Sequence, residues 1–172
     1  VITYSLISRE TLAKVLAEPV PLAVANPMTA DQGCLRTSLR ANLLAALAAN
    51  RRHEDGAIRL FELGKVYLPR KNDLPDEPEV LCGLLSSSRL EKSWHGEVEP
   101  FDFFDAKGVV EGLLDQLDVE AQFEEASDEG LRPGRQAAIV IAGAKIGVVG
   151  ELNPRVAEAF DISEAVYLFE ID

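Results

Sequence analysis

NPMTADQGCLRTSLRANLLAALAANRR (26–52) followed by IRLFELGKVY (58–67) is the stretch on which the fold turns. Ahead of it, PLAVAN (21–26) reads as a strand running into the turn Asn26-Pro27. From Leu35 the apolar residues Leu35, Leu39, Leu43, Leu44 and Leu47 recur at helical spacing. Arg51 and Arg52 stand at the end of that pattern, where cations complement the helix dipole. After the polar link HEDG (53–56), residues 58–68 read as one strand, or as two hinged at Gly64. Within them Ile58, Leu60 and Phe61 alternate imperfectly with Arg59 and Glu62.

Outward from this centre, the opening VITYSLIS is β-rich, and Ser8 can cap a short helix through Leu16 that ends before Pro19 and Pro21. PRKNDLPDEP (69–78) is a loop and EVLCGLLSSS (79–88) a strand. FDFFDAKGVVEGLLDQL (101–117) has the spacing of a helix despite Gly108 and Gly112. Each glycine costs a helix about 1 kcal/mol relative to alanine, which predicts close packing against a neighbour. The last third is richer in β-structure. It reads as a strand at Val119–Glu124, a loop at 126–135, and a hairpin of QAAIVIAG (136–143) and AKIGVVGEL (144–152). A short helix follows Asn153-Pro154, with proline in the first turn, and AVYLFEI (165–171) is the final strand. Short turns between strands, with three or four helices interspersed, predict an α+β fold with a mainly antiparallel sheet.

Composition narrows the function. The 172 residues carry 17 basic and 29 acidic side chains, a net charge of −12, with a hydrophobic share of 47%. These are the proportions of a globular domain, and no apolar run approaches the roughly 18 residues of a membrane span. Arg9 and Glu10 arrive too early for a secretory signal, and the first residue, Val1, predicts a piece of a longer chain. The acid is concentrated. Residues 1–72 carry 10 basic and 6 acidic groups, residues 73–130 carry 3 and 17, and residues 131–172 carry 4 and 6. Net acidity argues against a stand-alone nucleic-acid binder, whose phosphate contacts need a basic face.

No local motif assembles a reaction. Cys34 and Cys82 lie far apart, apart also from His53 and His95, so no zinc cage is legible, and both thiols read as reduced packing residues. Gly143, Gly147 and Gly150 fit neither phosphate-loop spacing and read as hairpin and strand glycines. Asp102 and Asp105, one turn apart at a helix start, favour the dipole rather than acid–base work. Ser86, Ser87 and Ser88 lack a nucleophile-elbow context. LRPGRQA (131–137) sets Arg132 and Arg135 around a Pro-Gly turn, which is either a plain turn or the best local anion-binding candidate. Likewise Arg36, Arg40, Arg51 and Arg52 are either a solvated helix face or a surface for nucleic-acid phosphate or an acidic partner.

Taken together, 26–52, 58–67, FFDAKGVVEGLL (103–114), LRPGRQA (131–137), IGVVGELNPRVAEAFDI (146–162) and the terminal YLFEID resemble the synthetase-like core of the phenylalanyl-tRNA synthetase beta chain. The blocks occur in order and span nearly the whole chain. The resemblance implies a class II aminoacyl-tRNA synthetase-like antiparallel sheet flanked by helices, in a single domain (1–172) of a longer multidomain cytoplasmic subunit. It also implies an α2β2 heterotetramer with the alpha subunit, tRNA bound through the parent complex, and ATP and Mg2+ used by that complex but not by this piece.

In that family the beta core is a copy of the alpha chain's catalytic domain that has lost catalysis. The alpha chain's comparable strand ends in an arginine that holds the ATP α-phosphate. Here the strand reads Gly64-Lys65-Val66-Tyr67-Leu68, and Leu68 has no hydrogen bond to donate. The second ATP arginine follows a glycine-rich strand at a helix beginning Glu-Arg or Asp-Arg. Here Gly147 and Gly150 lead to Glu151-Leu152-Asn153-Pro154-Arg155, so the pattern is broken and Arg155 is given no ATP role. Losing one preorganised donor costs about 10²–10³ in rate. No residue is therefore assigned a catalytic, cofactor-binding or metal role. The rival expectations are an amino-acid-binding class II paralogue that charges no tRNA, and a direct RNA-binding domain, which the net acidity disfavours.

Overall fold

The strand that comes last in sequence lies inside the sheet, and this fixes where every other element sits. The structure is a computed structural model describing residues 1–16, 19–54, 56–71, 73–87 and 99–172. Its elements are β1 (Leu6–Ile7), α1 (Arg9–Ala13), β2 (Cys34–Leu35), α2 (Arg40–Arg51), β3 (Ile58–Lys65), β4 (Glu79–Ser86), α3 (Phe103–Gln116), β5 (Gln122–Glu125), β6 (Leu131–Ile141), β7 (Ala144–Leu152), α4 (Pro154–Ala159) and β8 (Val166–Ile171). Six strands form one sheet in the order β3-β4-β8-β7-β6-β5, with every pairing antiparallel. A separate two-stranded ribbon pairs β1 with β2.

The sheet separates two apolar clusters. On one face Leu12, Leu39, Leu43, Leu44 and Leu47 meet Val80, Leu84, Val148 and Leu168, with Val156 of α4 joining them. On the other, Ala106, Val110 and Leu114 of α3 meet Ile139, Val149, Tyr167 and Phe169. Alternation along β8 feeds both, as a strand with its two faces covered requires.

The expected α+β class and antiparallel sheet are present, and several local readings are corrected. The helix read from Leu35 begins at Arg40; Cys34 and Leu35 are instead drawn into the ribbon, opposite Ile7 and Leu6. Leu39 is fully buried and Leu35 half-buried, and the ribbon pairing overrides the local period there. PLAVAN contributes only a bridge, Ala23 to Cys34. The first helix is shorter than read, capped by Ser8 as expected and closed by Leu16 in the left-handed region. Gly64 is no hinge: β3 runs straight through it, and an added Cβ would sit 2.6 Å from the Arg36 Nη2.

The supposed loop 126–135 is half strand. β6 starts at Leu131, and a register shift between Leu131 and Gln136 absorbs Pro133 and Gly134, the latter at φ +76°. The expected hairpin is there, turned by Ala142 and Gly143 at φ +50° and +80°, the primed geometry of two-residue turns. Gly108 and Gly112 do not pack against a neighbour: both face solvent, with nothing within 4 Å of an added Cβ. Of the strand read at 79–88, residue 88 lies outside the described residues, as does His95.

Candidate functional site

The hairpin register carries Arg135 to Glu151. Gln136 stands opposite Gly150, and the register shift between Leu131 and Gln136 brings Arg132 and Arg135 together on Glu151. Arg132 and Arg135 each donate one guanidinium hydrogen bond to Glu151, at 2.6 and 2.7 Å, on separate carboxylate oxygens. Burial alone would raise the Glu151 carboxyl, but the two guanidinium bonds outweigh it and hold the group below its ordinary value. Glu151 lies beside Tyr167 of β8, whose hydroxyl is raised by burial and by the Glu151 charge.

A cavity of about 660 Å³ opens beside this triad, under the start of α3, walled by Phe103, Phe123 and Tyr167 and bordered by Asp102, Arg135 and Glu151. It has an aromatic wall and a charged one. What it lacks is an unclaimed anion clamp: the two arginines of the anion-binding candidate share a carboxylate supplied by the protein itself. The pair was visible in the sequence as a turn. Its partner was not, because Glu151 is 16 and 19 positions away, and only the folded hairpin, with its register shifts, brings them together.

The arginines flanking the second helix are also largely occupied. Arg36 is buried against Glu62 at 2.9 Å. Arg40 binds Asp128 at 2.9 Å and Glu170 at 2.6 Å. Arg40 loses hydration on burial, yet these carboxylates more than compensate and raise its pKa. Arg51 holds Glu164 at 2.5 Å, together with Ser86 Oγ and the Glu54 and Gly56 carbonyls. Both readings of these arginines, a solvated helix face or a surface for tRNA phosphate or an acidic partner, are corrected for three of the four: Arg52 faces solvent, while the other three cross-link the fold.

The remaining candidates resolve into structural roles. Asp102 and Asp105 form a reciprocal capping box on α3. Cys34 and Cys82 are free, buried thiols. Ser86 donates to Glu164, while Ser88 lies outside the described residues. Gly147 and Gly150 admit close backbone approach from Glu170 and Arg135. Leu68 packs at the margin of the first apolar cluster and bridges to Asp76, while Arg155 is exposed in the first turn of α4. Among the described residues no group of three or more His, Cys, Asp or Glu side chains could hold a metal ion, and no helix is long and apolar enough to cross a membrane.

Comparison with known proteins agrees with this architecture. The family described as "Phenylalanyl tRNA synthetase beta chain CLM domain" matches residues 1–172. A phenylalanine–tRNA ligase beta subunit of Dehalococcoides mccartyi is 49% identical over 173 residues, covering 99% of this chain and 21% of that protein. The beta subunit of Bacillus cereus is 38% identical over 176 residues, covering 99% and 22%. The chain therefore spans about a fifth of these relatives' length. Among solved structures, a pyrrolysyl-tRNA synthetase of Desulfitobacterium hafniense superposes with a TM-score of 0.71 at 18% identity, over 99% of this chain and 58% of that one.

Proposed function

The chain belongs to the phenylalanyl-tRNA synthetase beta chain CLM-domain family, and from that premise we propose that it is a non-catalytic module supporting assembly of the ligase that charges tRNA with phenylalanine. The observation that carries this reading is Leu68. Its position in the resemblance calls for an arginine to neutralise the ATP α-phosphate. Leu68 instead offers an apolar side chain that packs on the core. Adenylate formation builds charge that only preorganised donors can stabilise. ATP and Mg2+ then belong to the partner alpha subunit's active site, in a cytoplasmic α2β2 enzyme that also binds the tRNA.

Phenylalanine-dependent pyrophosphate exchange tests this. The beta subunit alone should give none above background, and the assembled enzyme should give full exchange. Robust exchange by this subunit without its partner would sink the reading.

One observation favours a second reading, an amino-acid-binding paralogue: the aromatic-walled cavity of about 660 Å³ beside Arg135. Calorimetric titration with the common amino acids separates the two. Micromolar binding of any one supports the paralogue, and heats of dilution alone support the assembly module.

A further inference from the structure

The acid concentrated in the middle of the chain gathers at one margin of the fold. Residues 102–129 carry ten carboxylates and a single basic side chain, Lys107. Four of the ten have internal work: Asp102 and Asp105 cap α3, Asp128 holds Arg40, and Glu111 holds Lys107. The other six are Asp115, Asp118, Glu120, Glu124, Glu125 and Glu129, all exposed. Among the described residues none of these six has a side-chain hydrogen bond or an ion pair. Their mutual repulsion is a cost that a cation brought from outside would relieve.

The same margin is an open strand edge. β5 ends the sheet order, with β6 on one side and no strand on the other. Apart from the ladder to β6, no backbone group of residues 121–126 is bonded to another backbone group among the described residues. Two cavities lie between this edge and α3. The one of about 660 Å³ described above takes Phe123, Glu124 and Glu125 from β5. A second, of about 410 Å³, takes Phe123 and Glu120 from this side and Glu111 and Asp115 from α3. Phe123 is thus the partition between them. Lys107 Nζ stands 4.4 Å from the centre of its ring and pairs with Glu111, so the fold itself seats a cation on this aromatic surface beside a carboxylate.

We propose that β5 is a docking edge for a basic, extended segment of another protein. The segment's main chain continues the sheet, and its alternate lysine or arginine side chains enter the cavities on either side of Phe123. Strand addition of this kind takes affinity from the backbone and selectivity from pockets for alternate side chains. Charge decides the occupant. A second copy of β5 would set Glu124 and Glu125 against carboxylates, and like charges across strands are destabilising. Nucleic-acid phosphate is repelled by the same surface. The proposal goes beyond the assembly reading and does not depend on it.

The test uses the full-length subunit and a fluorescent peptide alternating lysine and threonine, with the glutamate–threonine peptide as control. Anisotropy should show binding of the lysine peptide only. In Glu124→Lys/Glu125→Lys binding should weaken at least ~10-fold, and in Glu124→Gln/Glu125→Gln about 3-fold, because the attraction is electrostatic. Raising salt tenfold should weaken it by a similar factor. Both variants should melt as wild type, since the two positions are exposed. Glu158→Lys, at an exposed acid on α4, should bind normally. Hydrogen exchange should slow at 122–125 only when the peptide is added. Absence of binding, equal binding of the glutamate peptide, or unchanged binding by both β5 variants overturns the proposal. So does slow exchange at 122–125 before any peptide is added, which would assign the edge to another part of the same polypeptide or to a second copy. Pyrophosphate exchange is untouched by any of these results, so the assembly reading stands or falls separately.

Discussion

Arg36 and Glu62 form a salt bridge at 2.9 Å with side chains 3% and 2% exposed, linking the chain ahead of α2 to the inner face of β3. Thr3 donates its hydroxyl to Glu62 and accepts from Arg36, and the Lys65 carbonyl accepts from Arg36 Nε. Every charge is therefore answered, but only while both partners remain. Glu62→Leu should cost about 3–5 kcal/mol, because it strands a buried guanidinium. Arg36→Met combined with Glu62→Leu should recover most of that loss. Urea titration of the single and double variants measures it, and a double variant as unstable as Glu62→Leu would contradict the argument.

Gly108 and Gly112 lie in the middle of α3 with open space where a Cβ would go. Alanine lowers the entropy of the unfolded chain and suits the helix better. Gly108→Ala and Gly112→Ala should each stabilise the domain by about 0.5–1 kcal/mol and raise the melting temperature additively. A drop in either melting temperature would reveal a contact that the fold does not show.

Gly147 behaves oppositely. A Cβ there would collide with the Glu170 carbonyl of β8, where two central strands pack backbone to backbone. Neither strand can yield without breaking its ladder. Gly147→Ala should therefore destabilise by about 1–3 kcal/mol, visible as a lowered urea midpoint with an unchanged slope.

Acid should loosen the molecule. Asp128, Glu151 and Glu164 all lie below their ordinary values: burial opposes the shift, and hydrogen bonds with nearby arginine charge overcome it. A carboxyl depressed on folding adds stability that is complete above its unfolded pKa, about 4, and that drains away as pH falls through the lower folded value. Asp172 runs the other way, raised chiefly by burial. Melting temperature should hold from neutrality to about pH 5 and fall below about pH 4. In Glu151→Gln that acid-induced fall should be smaller. A flat profile down to pH 3 would show that these pairs add no net stability.

The sequence exposed most of the long elements because period and punctuation are local. Asn153-Pro154 announced α4, and Asp102 with Asp105 announced the start of α3. Several corrections share a cause, a partner distant along the chain; Gly108 and Gly112 are the exception, with nothing within 4 Å of an added Cβ. Leu35 follows a helical period yet is pulled into a ribbon by Leu6. Of the two readings at Gly64, one strand or two hinged there, the single strand is present, and the glycine is the clearance for Arg36. At the candidate site, Arg132 and Arg135 were legible as a basic turn, whereas the carboxylate that claims them came into view only with the hairpin register. The basic residues around α2 were equally visible, but their charge cannot be judged surface or interior until Glu62, Glu164 and Glu170 arrive from strands and loops far away.

The placement of β8 has a consequence for the order of synthesis. The β3-β4 hairpin and the β5-β6-β7 meander touch Val166–Ile171 from opposite sides, and Glu170 there also binds Ser38, the Leu39 nitrogen and Arg40 from the first quarter of the chain. A nascent chain stopped before residue 166 thus holds two half-sheets, each with a bare edge and neither able to close. Such long-range pairing is slow to form. The domain remains adhesive until its last strand has left the ribosome, and then both halves lock at once.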